Sequence, residues 1–224
     1  MSAKSTKEKE SRFSRILNRA AAKKKEANET VAIPEKAPDE KPAERVYELK
    51  NYSKLLGPRP TVLVTTVDLQ GRADVFPMSF ISPVSFDPPL LMLAVGTNKH
   101  SYWNIIQKRQ FVVNIPNESM LDKIWAAGDK WDPEISKIER AGLKTSKADI
   151  VTPPLLPECA ISFECYVNDA KKYGDHVIVI GEVVKIHADK EFVDEEGRIR
   201  ADLLRNPLHI SENVFAFPYM IKKA

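Results

Sequence analysis

The run Gly96-Thr97-Asn98-Lys99-His100-Ser101-Tyr102-Trp103-Asn104 joins a strongly apolar stretch to one with helical spacing. Ser101 is placed to cap a helix reaching Lys108, with Tyr102, Ile105 and Ile106 as its apolar stripe. Lys108 and Arg109 then fall where the helix dipole favours cations. A helix start leaves several backbone N–H groups unpaired and partly positive. Lys99 adds a full charge just before that start, and Thr97, Asn98 and Ser101 add neutral donors. Such a set suits a phosphate, and each charge-assisted hydrogen bond would contribute about 1.5–3 kcal/mol. The same residues also describe an ordinary solvated turn before a capped helix.

A second stretch, Pro77-Met78-Ser79-Phe80-Ile81-Ser82-Pro83, lies in a strand pattern interrupted by two prolines. Such an interruption leaves backbone groups outside a ladder, available to a flat, hydrogen-bonding ligand. The alternative is a plain edge strand protected by its prolines. Phe76, Met78, Phe80, Val84 and Phe86 alternate onto one face of this run.

Other chemistries find no support in the spacing. The eight glycines stand at 57, 71, 96, 128, 142, 174, 181 and 197, never closer than seven positions. A dinucleotide fingerprint, a P-loop and a nucleophile elbow all need closer glycines. The four histidines, at 100, 176, 187 and 209, include no H-E-x-x-H, so no metal site is expected. Cys159 and Cys165, six positions apart in one strand-like segment, would be held about 20 Å apart, beyond disulfide reach. They read as small buried hydrophobes, and so few cysteines without a signal peptide point to a reducing cytoplasm.

These groups need a scaffold, and the scaffold pattern is mostly strands. Candidates are 61–67, 75–86, 90–95, 111–115, 159–167 and 177–186, the last with Gly181 at a bend. The 90–95 run is continuously apolar and suits burial on both faces; 159–167 alternates, with Cys159, Ile161, Phe163, Cys165 and Val167 on its apolar side. Helical spacing appears at 101–108, 119–127 and 133–141. Short, closely spaced strands with few helices predict a mainly β protein, a closed or nearly closed antiparallel barrel.

Residues 1–45 hold twelve Lys/Arg and eight Asp/Glu, so the chain's net +3 comes from this segment. Pro34, Pro38 and Pro42 recur among Lys, Glu and Ala, which predicts a disordered basic extension. Phe13, Ile16 and Leu17 allow only a short amphipathic helix within it. Residues 46–224 are near neutral and show no nucleic-acid footprint, and no apolar run is long enough to span a bilayer.

Taken in order, several segments resemble the flavin reductase-like FMN-binding family, its flavoredoxin group in particular. They are Pro58-Arg59-Pro60-Thr61-Val62-Leu63-Val64-Thr65-Thr66-Val67-Asp68, Pro77-Met78-Ser79-Phe80, Pro83-Val84-Ser85, Asp87-Pro88-Pro89-Leu90, Lys99-His100-Ser101, Asn104-Ile105, Phe111-Val112-Val113-Asn114, Asp175-His176 and Gly181-Glu182-Val183. The resemblance spans about residues 46–200. It implies a six-stranded antiparallel split barrel of Greek-key type, with a few flanking helices and a homodimer holding FMN near the interface. It also implies that the phosphate lies at Lys99, His100 and Ser101, with Thr97, Asn98 and Asn104 among the cofactor-binding residues. The isoalloxazine edge would lie along Met78, Ser79, Phe80, Ile81 and Ser82, with His176 facing flavin and nicotinamide.

This chain departs from the family pattern at Ala73-Asp74-Val75-Phe76, where Asn and Ala are usual. It departs again at His209-Ile210-Ser211-Glu212-Asn213-Val214-Phe215, which replaces a Gly-Gly-x-Tyr-like ending. The leading expectation is an oxidoreductase that passes a hydride from NAD(P)H to FMN and electrons onward. The alternatives are an FMN electron carrier serving a redox protein partner with little NAD(P)H turnover, and a non-redox interaction module. Trp103, Trp125 and Trp131 would wall the site or pack the core.

Overall fold

The computed structural model describes residues 52–129, 136–200 and 202–220. The expectations for residues 1–45, for Trp131 and for the start of the 133–141 helix lie outside these residues.

β-branched and apolar residues build ten strands among the described residues: β1 (Arg59–Pro60), β2 (Val62–Val67), β3 (Ala73–Met78), β4 (Ile81–Ser85), β5 (Leu90–Gly96), β6 (Gln110–Ile115), β7 (Ile161–Tyr173), β8 (His176–Ala188), β9 (Leu208–Ser211) and β10 (Val214–Ala216). Seven form one antiparallel sheet in the order β3-β2-β6-β7-β8-β5-β4, and β1-β9-β10 form a second. The two edges of the large sheet, β3 and β4, are consecutive in the chain, so the sheet curls until its edges meet at a seam. Only Ser79 and Phe80 bridge that seam, and the backbone N–H of Ala94 donates to the Phe80 carbonyl at 2.9 Å. This is the split barrel. It has seven strands in its sheet rather than six, because the proline-interrupted 75–86 stretch divides in two. Pro77 and Pro83 sit in those two edge strands, where a missing N–H costs no ladder bond.

The barrel interior is filled by Val62, Val64, Leu93, Val95, Phe111, Val113, Cys165, Val177 and Val179, among others. Phe76, Met78 and Ile81 pack against it, but Val84 and Phe86 do not follow: Phe86 is 99% exposed in the β4–β5 turn. The seam shifts the alternation between the two halves.

A second cluster lies outside the barrel, where Leu63 and Val75 meet Met120, Ile124 and Ala127 of the helical segment 118–128, together with Ile138, Leu156 and Cys159. Hence β2, covered on both faces, is fully buried along its length. The strand expected to be buried on both sides, β5, is not: Leu91, Leu93 and Val95 point inward while Leu90, Met92 and Ala94 are half-buried on the outside.

The 159–167 alternation also breaks. Cys159 leaves for the outer cluster, while Phe163, Cys165 and Val167 keep facing the barrel core and the opposite side of the strand is covered as well. Glu164, expected on the polar side, is fully buried. Its oxygens accept from the backbone N–H groups of Asp149, Ile150 and Val151 and from Nε2 of His187, at 2.6–2.9 Å. Asp149, Glu164 and His187 bring ligand-type atoms within 4.8 Å of one another. With the Glu164 oxygens already engaged by these four donors, the arrangement clamps the 149–151 segment onto β7.

Candidate functional site

The large sheet places the two candidate stretches side by side. Gly96 ends β5 opposite His176, the first residue of β8. A Cβ built on Gly96 would lie 3.2 Å from Asn98 Oδ1, 3.6 Å from Lys99 Cγ and 3.9 Å from His176 Nε2. The glycine therefore lets an amide, a lysine stem and an imidazole converge on one corner. Phe80, from the seam, closes a further side: its ring centroid is 5.8 Å from that of His176, and the Arg59 guanidinium lies 5.2 Å from it on β1. Arg59 was absent from the sequence-derived site, although Pro58-Arg59-Pro60 opens the run of segments that carries the family resemblance.

His176 is oriented from behind. Its Nδ1 lies 2.7 Å from Asp175 Oδ1, and hydrogen bonding to His176 lowers the Asp175 carboxyl below its ordinary value. An ionised carboxylate only accepts, so Nδ1 carries the proton and Nε2 faces the Gly96 corner. The Asp175 backbone carbonyl accepts from both the Thr97 N–H (3.0 Å) and the Thr97 hydroxyl (3.2 Å), which ties the two strand ends together.

The helix after β5 runs from His100 to Lys108, and its N-cap is Lys99, which makes no side-chain capping bond. This corrects the assignment of Ser101 as the cap. Ser101 is buried inside the first turn and its hydroxyl donates to Asp74 Oδ2 at 2.7 Å; Lys137 Nζ balances Asp74 at 3.2 Å. Asp74, within the segment that departs from the family pattern, thus holds the helix start to β3. Asn104 is buried too and donates to Thr66 Oγ1 at 3.2 Å. Thr97, Ser101 and Asn104 therefore spend their donors on the scaffold. Asn98, Lys99 and His100 are exposed at the helix start, beside its first N–H groups. Arg109 closes the helix in the left-handed region (φ 54) and donates to the Val167 carbonyl at 2.8 Å.

Around the seam, Met78 and Ile81 turn their side chains into the barrel core, so only their backbones border the site. Ser82 is half-buried on β4, its hydroxyl 3.1 Å from the Pro83 carbonyl oxygen. Ser79 faces His209 Nδ1 at 3.4 Å, a contact between sheets that no local pattern announces. His209 in turn meets the ring of Phe215, 5.2 Å away, and Phe215 lines an open cleft of about 720 Å³ with Trp125, Asp122 and Asn213. Trp125 is thus a cleft residue, while Trp103 is 54% exposed on the helix, in edge contact with Tyr102.

Known proteins share this fold. The chain is similar to nitrilotriacetate monooxygenase component B of Bacillus cereus, with 27% identity and a TM-score of 0.73, covering 85% of this chain and 98% of that one. It is also similar to the Pseudomonas fluorescens 2-nitrobenzoate 2-nitroreductase NbaA, with 26% identity and a TM-score of 0.72, covering 80% and 91%. Flavoredoxin of Methanosarcina acetivorans, 19% identical with a TM-score of 0.69 over 84% of this chain and 95% of that one, shares the fold. Residues 56–208 match the family described as the flavin reductase like domain: the chain belongs to that family.

Proposed function

We propose that the chain binds FMN non-covalently and acts as an NAD(P)H-dependent, flavin reductase-like oxidoreductase that passes electrons onward. The observation that carries this reading is the Gly96 corner, on which Asn98, Lys99 and His176 converge. Its donor set fits an anionic group next to a flat one. Lys99, Asn98, His100 and the first N–H groups of the helix would hold the phosphate; Ser79, Phe80 and the seam backbone would border the ring. When bound, FMN supplies the hydride-accepting and electron-releasing chemistry. His176, held by Asp175, presents Nε2 to the site and orients what lies there.

A second copy of the chain fits the reading. Met92 and Ala94 of β5 pair with Ile180 and Ile178 of β8, a short apolar ladder on the outer face between the Leu90–Glu182 pair and the Gly96–His176 pair. A homodimer would cover it and enclose the site. Two buried free thiols fit a reducing cytoplasm: burial pushes Cys159 up to about 12 and raises Cys165 as well, which leaves both unreactive. No helix among the described residues is long and apolar enough to cross a membrane.

Absorbance of the purified protein tests the proposal. A yellow protein that NADH or NADPH bleaches quickly is the expected result. Bleaching only by dithionite or a reduced partner protein would make it an electron carrier, and a colourless protein that takes up no added FMN would end the flavin reading.

Lys99→Ala removes the corner's ammonium while leaving its scaffold contacts in place. FMN affinity, read by quenching of flavin fluorescence, should fall roughly ten- to hundredfold, the equivalent of one charge-assisted hydrogen bond. An unchanged Kd would put the phosphate elsewhere.

A further inference from the structure

His209 stands where the small sheet meets the barrel seam. It belongs to β9, opposite both Arg59 of β1 and Phe215 of β10. Its two ring nitrogens have different partners. Nε2 lies 3.1 Å from the carbonyl oxygen of Glu212, and a carbonyl only accepts, so Nε2 carries a proton. In the neutral ring Nδ1 is then an acceptor, and the group facing it at 3.4 Å is the Ser79 hydroxyl. The carbonyl that sets this tautomer comes from a tight β9–β10 turn in which Glu212 adopts a left-handed backbone, φ 50. The Phe215 ring packs beside the imidazole, 5.2 Å between centroids. The turn, the imidazole and the serine thus form a directed chain, Ser79 O–H to His209 and His209 N–H to the Glu212 carbonyl.

We propose that His209 is a positioning residue for ligand binding at the seam. It accepts the hydrogen bond from the Ser79 hydroxyl, so Ser79 turns only lone pairs toward the site and selects a ligand group that donates there. Oxidised isoalloxazine carries a single N–H on its pyrimidine edge, between two carbonyls, and a fixed acceptor at Ser79 favours that group over an acceptor edge. The proposal deepens the FMN assignment above and rests on it. It gives a role to the segment in which this chain departs from the family's ending, since the His209 tautomer depends on the backbone of the Ser211–Val214 turn.

FMN titrations of the full chain, followed by flavin fluorescence, test this through binding and not turnover. Ser79→Ala and His209→Phe should each raise the Kd about tenfold, and the double variant should bind no worse than Ser79→Ala alone. His209→Asn places an amide oxygen near the position of Nδ1 and should stay within about threefold of wild type. His209→Gln reproduces only the Nε2 end and should behave like His209→Phe.

Melting temperatures recorded alongside separate positioning from general loosening of the hairpin, which would lower Asn and Gln variants alike. Additive effects of Ser79→Ala and His209→Phe would overturn the proposal, as would equal Kd values for the Asn and Gln variants. If wild type binds FMN tightly but His209→Phe does too, His209 loses this role while the flavin assignment stands. If wild type binds no FMN, both fall together.

Discussion

Replacing Glu164 by glutamine should cost roughly 3–5 kcal/mol of stability, the scale for removing one partner from a buried charged network. Four donors converge on this fully buried carboxylate: three successive backbone N–H groups at 149–151 and His187 Nε2. The amide of a glutamine would aim its own donors at some of them and leave others unpaired. The effect should also depend on acidity. Burial by itself raises the Glu164 carboxyl, but the hydrogen bonds from His187 and from Asp149, Val151 and Ile150 outweigh it and hold the group at about 2 against an ordinary 4.5.

A carboxyl depressed by folding stabilises the native state fully above its unfolded value and loses that contribution as pH falls toward the folded one. The window here runs from about pH 4.5 down to about pH 2, and the contribution at neutral pH is on the order of 3 kcal/mol. Urea midpoints measured across this range should show wild type losing its advantage over Glu164→Gln on acidification. A constant gap between the two, or none at pH 7, would mean that Glu164 is not the clamp described.

Gly181→Ala should destabilise the barrel by about 1–3 kcal/mol, the usual range for overpacking a filled core. The strand conformation itself would accept alanine, and in open space the change would gain roughly 0.5–1 kcal/mol. Space decides the sign. A Cβ at 181 would lie 2.3 Å from Cζ and 2.8 Å from Cε1 of Phe111, whose ring is fully buried in the barrel interior, and 3.4 Å from Cys165 Cβ. The ring has to move, and its neighbours Val113, Val167 and Val179 belong to the same packed cluster.

Phe111→Leu should relieve the clash, so Gly181→Ala should cost less in that background than in wild type. Denaturant midpoints of the four proteins give the coupling directly. Independent effects, or a Gly181→Ala protein as stable as its parent, would show that the close approach does not govern this position. The bulge foreseen at Gly181 lies on its partner strand, between Val167 and Asp169, where β7 shifts register opposite Gly181 and Ile180.

Period-2 patterns, β-branched runs and the two strand prolines were enough to announce an antiparallel barrel, because each reports on local backbone geometry and one buried face. The order of motifs was enough to announce the family, and the Gly96–Ser101 run announced a polar helix start. Whether a hydroxyl in that run is free is a different kind of fact. Ser101 and Asn104 looked like ligand donors because their partners, Asp74 and Thr66, lie 27 and 38 positions away. Thr97 is tied to a carbonyl 78 positions on, and Ser79 faces a histidine 130 positions on.

Glu164 shows the same divide. On an alternating strand a glutamate reads as solvent-facing, and only a distant segment that needs its N–H groups satisfied makes it a core residue. What the chain determined by itself was therefore the strands of the large sheet, but not the β1-β9-β10 sheet, together with the seam residues and the residue types brought to the corner, since these follow from neighbours along the backbone. Tertiary structure alone decided which strand is covered on both faces, which polar groups are already spent, and that His176 meets the Gly96 corner while His209 meets Ser79. Those outcomes depend on hydrogen-bond partners and packing surfaces that meet only when the sheet has curled to its seam.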